Sequence, residues 1–271
     1  MAKAKRELRE SLKLVDIVIE ILDARAPQSS RNPDFNEITA AKPKLVVLSK
    51  SDLADPDLTD KWLARFKRDG VTATAVELLK GKGLRKIPAL VSQLAAPKMA
   101  ALAGAGRRAR AARCVIIGIP NVGKSSLINM LAERKVAKTG YKPGVTRGRQ
   151  WIRMIGGLEL LDTPGILVPK IDDPEVAFRL AVTGAIKEDV FNIFQASRQL
   201  TEWLAVNRPS SLKQRYKLND LPGDPDLLLD LIGKNRGFIT SGGRADLEKA
   251  AQNVLKEFRE GNFGRITLDP A

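Results

Sequence analysis

Eight consecutive residues, Gly118-Ile-Pro-Asn-Val-Gly-Lys-Ser125, narrow the possible folds more than any other feature of the chain. They follow the apolar run 114–117 and precede a helical pattern over 125–133. A glycine-framed loop between a buried strand and a helix turns backbone N–H groups toward an anion, and the helix N-terminus adds partial positive charge. In such a loop Lys124 reaches the β- and γ-phosphates of a nucleotide, and the Ser125 hydroxyl holds Mg²⁺. Gly118, Asn121, Val122, Gly123, Lys124, Ser125 and Ser126 are therefore the candidate phosphate-side residues.

The rest of the chain supplies a sheet for that loop. Apolar runs at 17–22, 45–48, 71–76, 114–117, 151–155 and 158–161 read as buried strands, and helical patterns occur at 57–69, 84–94 and 125–133. Alternation of this kind predicts an α/β domain, a mostly parallel sheet with helices on both faces. The tract 97–113, rich in small and basic residues, reads as a partly helical linker within it. From Asp173 the strand-like runs stop, and 176–185, 189–207, 225–231 and 244–259 read as helices, with Pro209 and Pro222-Gly223 as breaks. The expected organisation is a nucleotide-binding domain over 1–172 and a smaller, all-helical domain over 173–271.

Composition removes several chemistries. With one cysteine, Cys114, and no histidine, the chain has no internal disulfide, no Cys/His zinc site and no histidine-based triad. Cys114, inside an apolar run, reads as a small buried hydrophobe. No apolar run approaches the roughly 18–20 residues of a membrane helix, and the charged start lacks the pattern of a secretory signal; a cytoplasmic protein without a membrane partner is expected. The net charge is +15. Residues 1–174 hold 32 Lys/Arg against 18 Asp/Glu, while 175–271 hold 14 against 13. A basic surface attracts polyanions, which makes nucleic acid the natural partner class, although solubility alone explains the charge equally well.

Three further segments fit one nucleotide. In Leu160-Leu-Asp-Thr-Pro-Gly165 an acidic residue ends an apolar run; Asp162 is placed to hold the Mg²⁺ shell through water, and the Gly165 N–H to sense a γ-phosphate. Alone this is also an ordinary turn. Thr146, in Pro143-Gly-Val-Thr146, suits completion of the Mg²⁺ coordination when a γ-phosphate is present. Lys124, Thr146 and Gly165 are thus the candidate catalytic residues, and Ser125, Thr146 and Asp162 the candidate Mg²⁺ ligands. Ahead of the phosphate loop, an apolar run ends in Ser49-Lys-Ser-Asp52. Asp52 can accept from the guanine ring N–H and exocyclic amine, a pairing adenine cannot offer, while the Lys50 stem packs over the base. Glu77-Leu78, opening the glycine-rich stretch to Gly83, resembles the S-A-x-x-G-x-G loop whose backbone touches the guanine oxygen. Ser49, Lys50, Ser51, Asp52, Glu77 and Leu78 are the candidate base-side residues, with GTP or GDP as ligand. A strand-end Ser-Lys-x-Asp by itself is more often a turn and helix cap; beside a phosphate loop, guanine recognition is the better reading. Base loops that precede the phosphate loop imply a circular permutation, which a sheet tolerates when its ends lie close together.

These motifs in this order resemble the circularly permuted GTPases of the YlqF/RbgA type. The resemblance also takes in Asp23-Ala-Arg-Ala-Pro27 with Ser29-Ser-Arg-Asn-Pro33, Leu180-Ala-Val-Thr-Gly-Ala-Ile186, Lys234-Asn-Arg-Gly237, Ser241-Gly-Gly243 and Phe263-Gly-Arg265, and covers essentially the whole chain. It implies a P-loop GTPase domain followed by a helical, RNA-binding domain. It also implies a monomer that binds a late precursor of the large ribosomal subunit and its rRNA, with hydrolysis stimulated by the ribosomal particle. Ile166 stands where other GTPases often carry a water-orienting glutamine, so a low intrinsic rate is expected. Asn121 matches an asparagine that helps hold K⁺ in related enzymes, an ion that could supply part of the roughly 10³–10⁵-fold effect of an arginine finger. Three departures stand out. Ser49 replaces an asparagine and is expected to shorten the brace between base loop and phosphate loop. Glu77-Leu78 replaces a polar pair. The family's histidine-bearing leader before Met-Ala-Lys-Ala is absent from the sequence, and a leader missing from this chain is the expectation. The competing expectations are a GTP-dependent RNA scaffold without catalysis and a GTPase acting on tRNA or a protein.

Overall fold

The computed structural model describes residues 2–108, 110–133, 150–161, 171–186, 188 and 191–271. Within them the chain divides into two compact units, Met1–Lys170 with Asp269–Ala271, and Ile171–Leu268. The return of residues 269–271 to the first unit is not foreseen by a boundary between 172 and 173.

The first unit is built on one six-stranded sheet in the order β3-β2-β1-β4-β6-β5, comprising β1 (Ile17–Asp23), β2 (Lys44–Ser49), β3 (Thr72–Ala75), β4 (Ala112–Ile117), β5 (Trp151–Met154) and β6 (Leu158–Leu161). All pairings are parallel except β5 with β6. β1 is buried along its whole length, as expected of a central strand covered on both faces. Its residues 18, 20 and 22 lie on one face of the sheet, because side chains alternate along a strand. Val18 joins Leu8 and Leu12 of α1 (Ala2–Leu12), Phe35 of α2 (Pro33–Thr39), Val115, Ile117 and Leu161 in one core cluster. Leu22 joins Val46, Leu48, Trp62 and Phe66 of α3 (Pro56–Arg68) in another. Between them in the strand, Glu20 is buried with Lys44 at 3.2 Å and Arg31 at 3.7 Å. Helix α4 (Lys86–Gly104) packs across β1, β2, β3 and β4 from the sheet's other side.

The tract 97–113 is partly helical, as read from its composition: α4 continues to Gly104 with Pro97 inside it, and only the remainder is an irregular connection. Pro97 is exposed, where the carbonyl it leaves without a partner can meet water. The remaining connection is held by Asp16, just ahead of β1. Its carboxylate accepts from both Arg110 guanidinium nitrogens (2.7 and 3.0 Å) and the Arg113 N–H (2.9 Å), with Lys98 Nζ at 2.6 Å. Burial would raise this carboxyl, but those donors outweigh it and hold it well below the usual carboxylate range. Cys114 is buried, and burial pushes its thiol up to about 12, the behaviour of an inert core residue.

The second unit contains α6 (Pro174–Thr183), α7 (Ile193–Asn207), α8 (Pro209–Tyr216), α9 (Pro225–Arg236) and α10 (Leu247–Arg259), with α10 packed on α6, α7 and α9. Asp173-Pro174 and Asp224-Pro225 start helices in the same way, the aspartate capping a backbone N–H and the proline filling the first helical position. Pro209 marks the break expected there, since α7 ends at Asn207, and also fills the first position of α8, a helix the sequence reading did not include. An isolated bridge between Ile239 and Ala245 is the one β pairing here among the described residues. Two of the basic residues of this unit are internal in function. Arg215 (2.8 and 2.9 Å) and Arg236 (2.8 Å) both donate to the buried carboxylate of Glu257.

Candidate nucleotide-binding site

Strands β1, β2 and β4 are parallel neighbours, so their carboxyl ends open on one edge of the sheet. The register pairs Asp23 with Ser49 and Glu20 with Ile117, and the phosphate-binding loop therefore leaves β4 alongside Ile21 of β1. Contact there is close. A Cβ on Gly118 would stand 2.6 Å from the Ile21 carbonyl oxygen and 2.8 Å from its Cγ2. Gly123 has φ +101°, and a Cβ there would stand 2.8 Å from Leu78 Cδ1. Only glycine lets this loop pack both on β1 and on the 77–83 loop.

The base loop and the phosphate loop are joined directly. Ser49 Oγ, fully buried, lies 2.6 Å from the Val122 carbonyl oxygen and 2.9 Å from that of Leu22. The expectation that a serine here would leave the brace short is corrected: the hydroxyl itself reaches the phosphate loop, because Val122 comes close enough for a one-carbon side chain.

On the phosphate side, α5 (Lys124–Leu131) starts at Gly123 with no side-chain cap, which leaves its first amides to other acceptors. Asn121, Ser125 and Ser126 are exposed and Val122 is buried. Asn121 takes a left-handed φ of +58°. The Lys124 ammonium donates to the Gly118 (2.8 Å) and Ile119 (2.5 Å) carbonyl oxygens, and burial lowers its pKa to about 8. A phosphate group offers that ammonium the negative charge which its carbonyl partners lack.

On the base side, Lys50 also has a left-handed φ, +54°, and Ser51 N–H donates to the Val76 carbonyl at 3.3 Å, linking the ends of β2 and β3. Lys50 Nζ lies 2.9 Å from Asp23 Oδ2. Asp23 is fully buried and also accepts from the Arg25 backbone N–H, Nε (3.0 Å each) and Nη2 (2.8 Å). Burial would raise the Asp23 carboxyl; the Arg25 and Lys50 cations outweigh it and keep it well below its usual range. Asp52 is half-buried beside this trio. In the 77–83 loop, Glu77 N–H donates to the Lys82 carbonyl (3.0 Å), Leu78 is buried and Leu79 is 92% exposed.

The structure thus brings Ser49–Asp52, Glu77–Leu78 and Gly118–Ser126 to one edge of the sheet. Thr146, Asp162, Gly165 and Ile166 lie outside the described residues. The sequence reading missed the roles of Asp23 and Arg25. The available signal was an aspartate at the end of a buried strand with an arginine two residues on, positions that demand an internal charge partner.

Residues 113–208 match the family described as 50S ribosome-binding GTPase. Over 269 residues the chain is 48% identical to the ribosome biogenesis GTPase A of Bacillus cereus, covering 99% of this chain and 91% of that protein. It is 34% identical over 296 residues to the mitochondrial ribosome-associated GTPase 1 of Ictalurus punctatus, covering 99% of this chain and 90% of the relative. Among solved structures, GNP-bound YlqF from T. maritima aligns with a TM-score of 0.67 at 25% identity, over 99% of this chain and 98% of that one. A phosphate loop whose base loops come earlier in the chain and meet it on one sheet edge agrees with these likenesses, and the chain is a GTPase belonging to the ribosome biogenesis GTPase A family.

Proposed function

We propose that this GTPase is a cytoplasmic assembly factor that binds a late precursor of the large ribosomal subunit and promotes its maturation, hydrolysing GTP faster on the ribosomal particle. The observation that carries the nucleotide part is the 2.6 Å contact of Ser49 Oγ with the Val122 carbonyl oxygen, which joins base loop and phosphate loop directly and supports one nucleotide lying across both. In this reading Asp52 accepts from guanine, Lys50 lies along the base, and the α5 N-terminus and Lys124 face the phosphates. Ser125, exposed at the first turn of α5, fits a Mg²⁺ ligand, to be completed by Thr146 and Asp162; the metal would neutralise charge developing on the β- and γ-phosphates. Asn121, exposed with a left-handed backbone, is the candidate K⁺ ligand. Gly165 and Thr146 would sense the γ-phosphate, and the helical unit after Lys170 would carry that signal to rRNA. The ribosomal partner rests on the relatives' names and on the basic excess of residues 1–174, which suits a phosphate backbone.

Single-turnover GTP hydrolysis, with and without purified large-subunit precursors, tests the proposal. Phosphate release is expected to rise on addition of the particle, and equal rates in both arms would remove the stimulated-GTPase assignment. RNA crosslinking in cells tests the partner: recovery of tRNA without large-subunit rRNA would defeat it.

A further inference from the structure

We propose that Asp269, distant in sequence from every nucleotide motif, is a positioning residue for the guanine base, acting through Ser29, Ser30 and Asp23 on Lys50. The inference rests on the reading above in which Lys50 and Asp52 serve the base.

The contacts form a continuous buried path. Asp269 is 1% exposed, and its carboxylate grips Ser29 at two points, accepting from the backbone N–H at 2.7 Å and from the hydroxyl at 2.6 Å. The neighbouring Ser30 hydroxyl accepts from the Asp23 N–H at 3.0 Å, and the Ser30 N–H donates to the Ala26 carbonyl at 2.9 Å. Asp23 in turn holds the Lys50 ammonium at 2.9 Å. The same loop is pinned to β2, because the Ala24 N–H donates to the carbonyl of Ser49, the residue before Lys50. A second thread runs from the Asp269 backbone. Trp62 Nε1 on α3 donates to its carbonyl at 3.5 Å, and α3 is the helix that follows the Ser49–Asp52 loop. Asp269 therefore bridges the two segments that flank the base reader, one after β1 and one after β2.

The chemistry favours positioning over simple packing. A charged carboxylate is an expensive group to bury merely to close a surface, and apolar side chains would close it more cheaply. What a carboxylate adds is a directional, two-point hold on one residue. That hold is spent on a loop whose other end carries Asp23. Lys50 sits in a left-handed backbone conformation that a lysine does not favour, so its placement depends on partners that over-determine it. Leu268, the residue before Asp269, belongs to the helical unit.

A double-mutant cycle on the full chain tests the path, read as the dissociation constant of fluorescent GDP. Lys50→Met, which keeps the stem and removes the ammonium, is expected to weaken GDP about tenfold, the scale of one charge-assisted contact. Asp269→Ala is expected to weaken it by a similar factor in the native background and by less than about twofold in the Lys50→Met background, because the two act through one contact. Ser29→Ala, a milder change should Asp269→Ala fail to fold, is expected to show the same non-additivity at about threefold. If Lys50→Met weakens GDP while the Asp269 and Ser29 effects persist undiminished in its background, Asp269 is structural and the proposal is overturned. If Lys50→Met changes neither GDP affinity nor the preference for GDP over ADP, the base reading itself fails, and the proposal with it.

Discussion

Strand β1 carries an aspartate at each end, and the two have opposite duties. Asp23, its last residue, is fully buried with partners close in sequence or in the neighbouring loop: Arg25, 3% exposed, and Lys50, 25% exposed. Asp16, just before the strand, is equally buried, but its cations are half in water, Lys98 at 47% and Arg110 at 29% exposure. Asp23 stands on the edge where the nucleotide loops emerge. Asp16 stands on the opposite edge and fastens the connection between α4 and β4, the stretch that exists only because the motif order is permuted. The same charge motif thus shapes a site at one end and closes a splice at the other. Burial of the cationic partner, more than burial of the aspartate, decides how much each end has at stake.

The sharpest break of that comparison is Asp23→Ala. It strands the buried Arg25 guanidinium without a counter-charge, a change expected to cost about 3–5 kcal/mol of stability. It also frees Lys50, so GDP binding should weaken even in samples that remain folded. Urea unfolding and GDP titration measure the two losses. Asp16→Ala is expected to cost only about 2 kcal/mol, since Lys98 and Arg110 can rehydrate, and to leave GDP affinity within about twofold, because stability and site geometry add independently at separated positions. A GDP affinity that fell as far for Asp16→Ala as for Asp23→Ala would show that the two ends are not separate devices.

How much of this was legible beforehand follows the same division. The strands were readable because β2 and β4 hold continuous apolar runs and β1 is interrupted only by Glu20, and the phosphate loop because its glycines are needed where backbone meets Ile21 and Leu78. Helix α8 and the full extent of α4 were hidden by proline, which marks a first helical turn at Pro209 and an exposed helix face at Pro97 as readily as it marks a break. The Ser49 brace was misjudged because side-chain length is visible in a sequence and the approach of Val122 is not. Asp16 with Arg110, and Asp269 with Ser29, lie 94 and 240 residues apart. No local pattern reports such pairs; only the charge of a residue at a strand end or in a buried segment hints that a partner must exist.

On the nucleotide edge itself, a smaller change separates geometry from charge. Ser49→Ala removes the hydroxyl that meets the Val122 and Leu22 carbonyls without altering any ion pair. One neutral, buried hydrogen bond of this kind is worth about 1 kcal/mol, so a GDP affinity about fivefold weaker is expected. No change in affinity would mean that the phosphate loop keeps its place by the Gly118 and Gly123 packing alone.

The smallest expected effect is a pH dependence carried by Lys124. Burial lowers its pKa to about 8 in the free protein, whereas bound phosphates favour its charged form and raise that value. A group with a higher pKa in the complex takes up a proton on binding. Affinity is therefore at its plateau below pH 8 and falls as pH rises through that value, by about fourfold at pH 8.5. Guanine loses a ring proton at higher pH and weakens binding as well, so the native chain alone does not isolate the lysine. Lys124→Arg does, because a guanidinium stays charged throughout the range. GDP titrations from pH 7 to 8.5 should show the decline in the native protein and a nearly flat profile in the arginine variant. Parallel profiles would place the titration elsewhere and leave the Lys124 ammonium fully charged before the nucleotide arrives.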